Sequence, residues 1–139
     1  MDYELKKIKL VWEDGKLTEE QLEIYEEAPD DEDFVLLKMN LGGDFLSFKS
    51  ESCFEALEQL RQSLEEKHIQ ILCNGAALNV YPSPMALSMG VGRLAYRLIN
   101  GKQAKTEDMV DIFDCDDHYS FVSIAEQRNF YKDWLNSVG

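Results

Sequence analysis

Arg93 and Arg97 are the residues whose type and spacing most invite chemistry. They stand four positions apart, so they share a face whether the segment is helix or strand. Two adjacent guanidinium groups can grip a carboxylate or phosphate through bidentate hydrogen bonds. Gly90 and Gly92 just before them would let a ligand approach the backbone closely. Asn74, Tyr81 and Tyr96 could add neutral hydrogen bonds. These seven residues form the candidate ligand site. Two other fates are open to the arginines: pairing with the chain's own carboxylates, or contact with a partner protein.

Their setting is unusual for this chain. Residues 74–106 hold four basic side chains (Arg93, Arg97, Lys102, Lys105) and no carboxylate, a formal +4. The rest of the chain sets ten basic groups against all 27 acidic ones, a formal −17.

Other constellations offer less. Cys53, Cys73 and Cys115 are odd in number and lack a CxxC spacing, so no disulfide framework or zinc site is signalled. Buried free thiols are the simpler expectation, above all for Cys73 within an apolar run. His68 and His118 are the only histidines. Asp108, Asp111, Asp114, Asp116 and Asp117 match no EF-hand loop, which needs a central glycine and a closing glutamate. No Walker loop, G-x-S-x-G elbow or HExxH occurs, and Met89-Gly90-Val91-Gly92 lacks the third glycine of a dinucleotide fingerprint. No metal or cofactor is expected, and an enzyme is the less favoured class.

The elements that would position these residues follow from periodicity and turn signals. Tyr3–Trp12 alternates as a strand, and Asp14-Gly15 turns it. Residues 17–33 carry nine carboxylates and no base; Thr18-x-x-Gln21 reads as a capping box for a short helix to Glu27, followed by an exposed loop at Pro29–Asp33. Phe34–Leu41 and Phe45–Lys49 read as a hairpin across Gly42-Gly43. Ser52-x-x-Glu55 caps a helix to about Lys67, with Phe54, Leu57, Leu60 and Leu64 along one side. Ile69–Cys73 is a short strand, Ser83-Pro84 begins a helical turn, Arg93–Ile99 and Val110–Phe113 are strands, and Asn100-Gly101 is a turn. Ser123-x-x-Glu126 caps a last helix, whose Phe130, Tyr131, Trp134, Leu135 and Val138 form an apolar stripe for the core. The expectation is one α+β domain over residues 1–139: a mostly antiparallel sheet of about six strands with two main helices packed on it.

Length and charge narrow the function. A chain of 139 residues, 45% hydrophobic, can bury a core without metal or disulfide. Net charge −13 repels phosphate backbones and anionic lipid, which argues against nucleic acid and membrane partners. It favours a basic protein partner, or serves solubility alone. Met1-Asp2-Tyr3-Glu4 lacks the basic start and apolar run of a signal peptide, so a cytoplasmic location is expected.

The runs Leu72-Cys73-Asn74-Gly75, Val80-Tyr81-Pro82-Ser83-Pro84-Met85 and Met89-Gly90-Val91-Gly92-Arg93-Leu94-Ala95-Tyr96-Arg97-Leu98, with Val110-Asp111-Ile112-Phe113 and Ala125-Glu126-Gln127-Arg128, resemble a family of small, uncharacterised bacterial proteins. The resemblance spans roughly residues 69–135. It implies a bacterial, cytosolic, single-domain protein and carries over no activity and no site residue. By size and charge alone, the chain is also similar to acidic immunity proteins, which neutralise toxins. Two functions are therefore expected to compete: a non-enzymatic, immunity-like protein-binding module, and a small enzyme or sensor that takes an anionic metabolite near Arg93 and Arg97.

Overall fold

Alternation of apolar and charged residues builds the larger of two sheets. In the computed structural model, which describes residues 2–89 and 91–138, β1 (Glu4–Val11), β2 (Leu17–Tyr25), β3 (Val35–Leu41), β4 (Asp44–Ser50) and β5 (Gln70–Leu72) pair antiparallel in the order β4-β3-β2-β1-β5. Ile8, Leu10, Leu22, Ile24, Leu37 and Met39 point to one face and are buried. Lys7, Lys9, Gln21 and Lys38 point to the other and are exposed. Between β4 and β5 runs α1 (Cys53–Glu66), whose Phe54, Leu57, Leu60 and Leu64 are buried in the same core. Burying each of these side chains stabilises the fold by roughly 1.5–3 kcal/mol. The helix starts where expected: Ser52 Oγ accepts from Glu55 N–H.

A second sheet carries the basic window. Its order is β6 (Val80–Tyr81), β7 (Leu94–Arg97), β8 (Met109–Asp111), again antiparallel. A short α2 (Pro84–Met89) follows β6, with Ser83 Oγ accepting from Ala86 N–H. The chain closes with α3 (Ile124–Val138), where Ser123 and Glu126 bond reciprocally as a capping box. The protein is α+β, and its described residues hold three α-helices and eight strands in two sheets.

Three readings of the sequence need correction. Among the described residues the strands number eight where about six are expected, because β2 carries the capping pattern of a helix and the two-residue β6 is too short to signal. Residues 18–25 are strand because Leu22 and Ile24 alternate into the core while β1 lies alongside through the Asp14-Gly15 turn. Thr18 caps nothing; its hydroxyl accepts from Trp12 Nε1–H at 2.7 Å. The apolar stripe of α3 is also less buried than expected: Trp134 is buried, Phe130, Tyr131 and Val138 are half-buried, and Leu135 is 44% exposed. The helix instead holds on through a buried polar residue, Gln127.

Candidate functional site

The register of β7 against β8 decides what the two arginines meet. Leu94 lies opposite Asp111 and Tyr96 opposite Met109, so the carboxylates of Asp111 and Asp108 fall next to Arg93 and Arg97. Alternation places Ala95 and Arg97 on one side of β7, and Arg93 stands just before the strand begins. Arg93 Nε lies 3.0 Å from Asp111 Oδ2, Nη1 lies 2.8 Å from Glu26 Oε2, and Nη2 bonds Glu4 at 2.9–3.0 Å. Its guanidinium also sits over the Phe113 ring. Glu4 opens β1 and Glu26 follows β2, so this arginine joins the large sheet to the small one. Burial opposes its charge, but hydrogen bonds to Glu26 and Asp111 outweigh it and push its pKa further up. Lys6 repeats the device nearby, bonding Asp114 at 2.6 Å across the same junction.

Arg97 is held more loosely. Nη2 bonds Asp108 at 3.0 Å, and the side chain stays 43% exposed. Its Nε is buried without a partner. With Asn79, His118, Tyr119, Ser120 and Phe130 it lines a concavity of about 360 Å³. Both arginines are thus engaged by carboxylates of the same chain, Arg93 by three and Arg97 by one.

The remaining candidates do not gather around them. Asn74 is buried, donating to Asp111 O and Asp116 Oδ2 and accepting from Asp116 N–H, which pins the 111–116 loop. Tyr81 stacks on Tyr131 of α3 at 4.0 Å and meets Phe54 edge-on. Tyr96 is the cross-strand partner of Tyr81 and is half-buried. Gly92 has φ +68°, and a Cβ there would come within 3.0 Å of Ser52 Cβ, so the glycine serves the close packing of α1's start. Gly90 lies outside the described residues.

The polar group that most shapes this region was not singled out in the sequence. Arg61 of α1 is 1% exposed and has no carboxylate partner among the described residues. Nη1 donates to Gly75 O and to Gln127 Oε1 at 2.6 Å, and Nη2 donates to Val122 O at 2.9 Å. Burial lowers its pKa. Gln127 Nε2 lies 2.9 Å from each of Gly75 O, Ala77 O and Val80 O, two hydrogens shared among three acceptors. This knot ties α1, α3 and the loop entering β6 together. A signal was present: Arg61 follows Leu57 and Leu60 on the apolar side of α1, and Gln127 shares a stripe with Tyr131, Trp134 and Val138.

Elsewhere, carboxylates dominate. Asp2, Glu26, Glu27 and the run Asp30 to Asp33 line an open concavity of about 870 Å³. Only Asp30, with Lys49, and Glu26, with Arg93, form ion pairs there among the described residues. The Lys49 hydrogen bond holds the Asp30 carboxyl below its ordinary range. Among the described residues no group of three or more His, Cys, Asp or Glu is arranged to hold a metal ion. Cys53 and Cys73 are buried free thiols pushed by burial up to about 12, which leaves no thiolate for nucleophilic chemistry near neutral pH. Cys115 is exposed and also shifted up, first by partial burial and then by Asp117. No helix among the described residues is long and apolar enough to cross a membrane. No model of a known family and no curated protein matches the chain.

Proposed function

We propose that this protein is a non-enzymatic, immunity-like binding module that covers a basic protein partner with its acidic surface. One observation carries this reading. Glu4, Glu26 and Asp111 are matched by Arg93 and Asp108 by Arg97, whereas Glu27, Asp31, Glu32 and Asp33 line an open concavity with no ion pair among the described residues. Surplus negative charge on a concave, solvated surface attracts a positive partner and speeds its docking. The test is affinity capture from the source cells at low and high salt. The comparison is a variant neutralised in the concavity (Glu27→Gln, Asp31→Asn, Glu32→Gln, Asp33→Asn). A specific basic protein should be retained by the parent at low salt and lost with salt or neutralisation. Recovery of no specific partner under either condition refutes the reading.

The exposed face of Arg97 favours one second reading, a sensor or small enzyme for an anionic metabolite. The concavity beside it offers a guanidinium, an amide, an imidazole and two hydroxyls. A ligand there would raise the melting temperature by mass action. Arg97→Ala should abolish that rise; a rise that survives the substitution removes this reading.

A further inference from the structure

The large sheet ends in an open edge, and the groove beside that edge has a definite chemistry. The β3–β4 hairpin turns through Gly42-Gly43, both with positive φ, and Leu41 lies opposite Asp44. In such a two-residue hairpin the flanking pair exchanges hydrogen bonds, so Asp44, Leu46, Phe48 and Ser50 turn their backbone groups toward β3. The N–H and C=O groups of Phe45, Ser47 and Lys49 therefore face outward. β4 is the last strand in the order, and no other backbone hydrogen bond reaches these three residues among those described. Their side chains are exposed, with Phe45 at 83%.

A strand laid along this edge would alternate its side chains between two surfaces. Those on the inner side would enter a groove of about 380 Å³ between β4 and α1, lined by Phe48, Gln59, Gln62, Ser63 and Glu66. Glu55 continues the line of carboxylates at the Ser50 end, where Ser50 Oγ donates to its Oε2. On the outer side Lys49 bonds Asp30, a residue of the acidic concavity, at 3.0 Å. An aromatic ring, amides and carboxylates suit the aliphatic stem and charged head of lysine or arginine. They suit a second copy of this chain less well, because its inward residues would be Leu46 and Phe48, and each copy carries −13.

We propose that β4 is the docking edge for the basic partner, which adds an extended segment as a sixth strand with basic side chains turned toward α1. This rests on the reading of the protein as an acidic binding module. It adds how the partner is held: backbone pairing supplies the grip, and the α1 glutamates and the acidic concavity select the charge.

The probe is an eight-residue peptide alternating lysine and valine, acetylated and amidated. A second probe has the same charge but is N-methylated at alternate backbone nitrogens along the edge that would pair. Amide exchange and chemical shifts are followed residue by residue. The first peptide should slow exchange at Phe45, Ser47 and Lys49 by at least about tenfold, a factor that corresponds to about 1.4 kcal/mol, and the N-methylated peptide should not. Ser47→Pro removes an outward N–H that β3 does not use, so it should abolish protection while the melting temperature stays near that of the parent. The N-methylated peptide makes the same comparison without touching the fold. If both peptides shift only residues 26–33 in a salt-dependent way, the docking edge is wrong and the acidic-module reading stands. If neither peptide binds at low salt, both fall. If the chain alone sediments as a dimer that Ser47→Pro dissociates, the edge belongs to a second copy and the proposal is overturned.

Discussion

Replacing Arg61 by alanine should cost this protein about 3–5 kcal/mol, the range expected when one member of a buried charged network is removed. The side chain is 1% exposed and makes three hydrogen bonds, to Gly75 O, Gln127 Oε1 and Val122 O. Bonds of this kind from a charged donor contribute about 1.5–3 kcal/mol each. Against them stands the desolvation of a buried guanidinium, several kcal/mol, made heavier by an Nε that finds no partner. Those terms nearly offset in the parent, but alanine does not simply return to zero. It leaves Gln127 Oε1 buried without a donor, at about 1–3 kcal/mol, strips the part-buried Val122 O of its donor at a smaller cost, and opens a cavity at the centre of the knot. Gly75 O is spared because Gln127 Nε2 still reaches it. With total stability on the order of 5–15 kcal/mol for a domain, the loss is large enough to read by urea denaturation. Arg61→Met should recover part of the packing and none of the hydrogen bonds, so it should fall between parent and alanine. Gln127→Ala should not add to Arg61→Ala, and the double mutant should be less destabilised than the sum by roughly 1–2 kcal/mol, since the residues are in direct contact. A loss below about 1 kcal/mol for Arg61→Ala, or strict additivity with Gln127→Ala, refutes the claim that this knot holds the fold together.

Other consequences are as open to measurement. Cys53 and Cys73 have folded-state pKa values raised to about 12, so the stability linked to them is complete below the unfolded thiol value near 9 and is lost as pH rises toward 12; each should cost about 2–3 kcal/mol between pH 9 and 11, and Cys53→Ala/Cys73→Ala should flatten that slope in denaturation curves. Gly75→Ala would bring a Cβ into Leu57 Cδ2 and within 3.0 Å of Ile112 Cβ, an overpacking that should lower stability by about 1–3 kcal/mol and the melting temperature with it. Trp134 is buried, and its Nε1 donates to Ile99 O and Lys102 O, so Trp134→Ala should cost about 3–5 kcal/mol in the same assay. A chain ended at residue 122 should fail to fold, because it removes Gln127 as well; a cooperative melt would show α3 to be peripheral.

The local signals in the sequence were legible because their chemistry is local. The two serine caps join residues three apart, and Gly42-Gly43 closes a hairpin between adjacent strands. β2 hides from the sequence because its carboxylates conceal the alternation of Leu22 and Ile24, and because a capping-box pattern weighs little against a strand that pairs with β1 from Leu17 to Ile24. Even spacing groups Arg93 with Arg97 on one side of a strand, but β7 runs only from Leu94 to Arg97 and Arg93 lies just outside it. Nor could the spacing say what faces them. The partners of Arg93 lie 18, 67 and 89 residues away, and the Arg61–Gln127 bond spans 66. Such separations are set by how the two sheets meet, which no local pattern encodes.

That distance in sequence separates two electrostatic regimes, and salt should distinguish them. The Arg93 side chain is 16% exposed and ringed by Glu4, Glu26 and Asp111, so counterions reach this junction poorly. Glu27, Glu32 and Asp33 are exposed on the rim of an open concavity, where charges more than about 8–10 Å apart are largely screened at physiological ionic strength. Raising sodium chloride from about 0.02 to 0.5 M should therefore leave the Arg93 contribution nearly intact. The penalty for Arg93→Met, measured by urea denaturation at each salt, should change by less than about 0.5 kcal/mol, below what exposed pairs contribute in total. Over the same range, binding of a lysine-rich peptide should weaken by an order of magnitude or more, because its attraction is the screened part. If the Arg93 penalty vanishes with salt, the junction is a solvated surface pair and does not clamp the two sheets. If peptide binding is indifferent to salt, surplus acidity is not what draws the partner, and a protein carrying 27 carboxylates against 14 bases would hold that partner by apolar contact or backbone pairing alone.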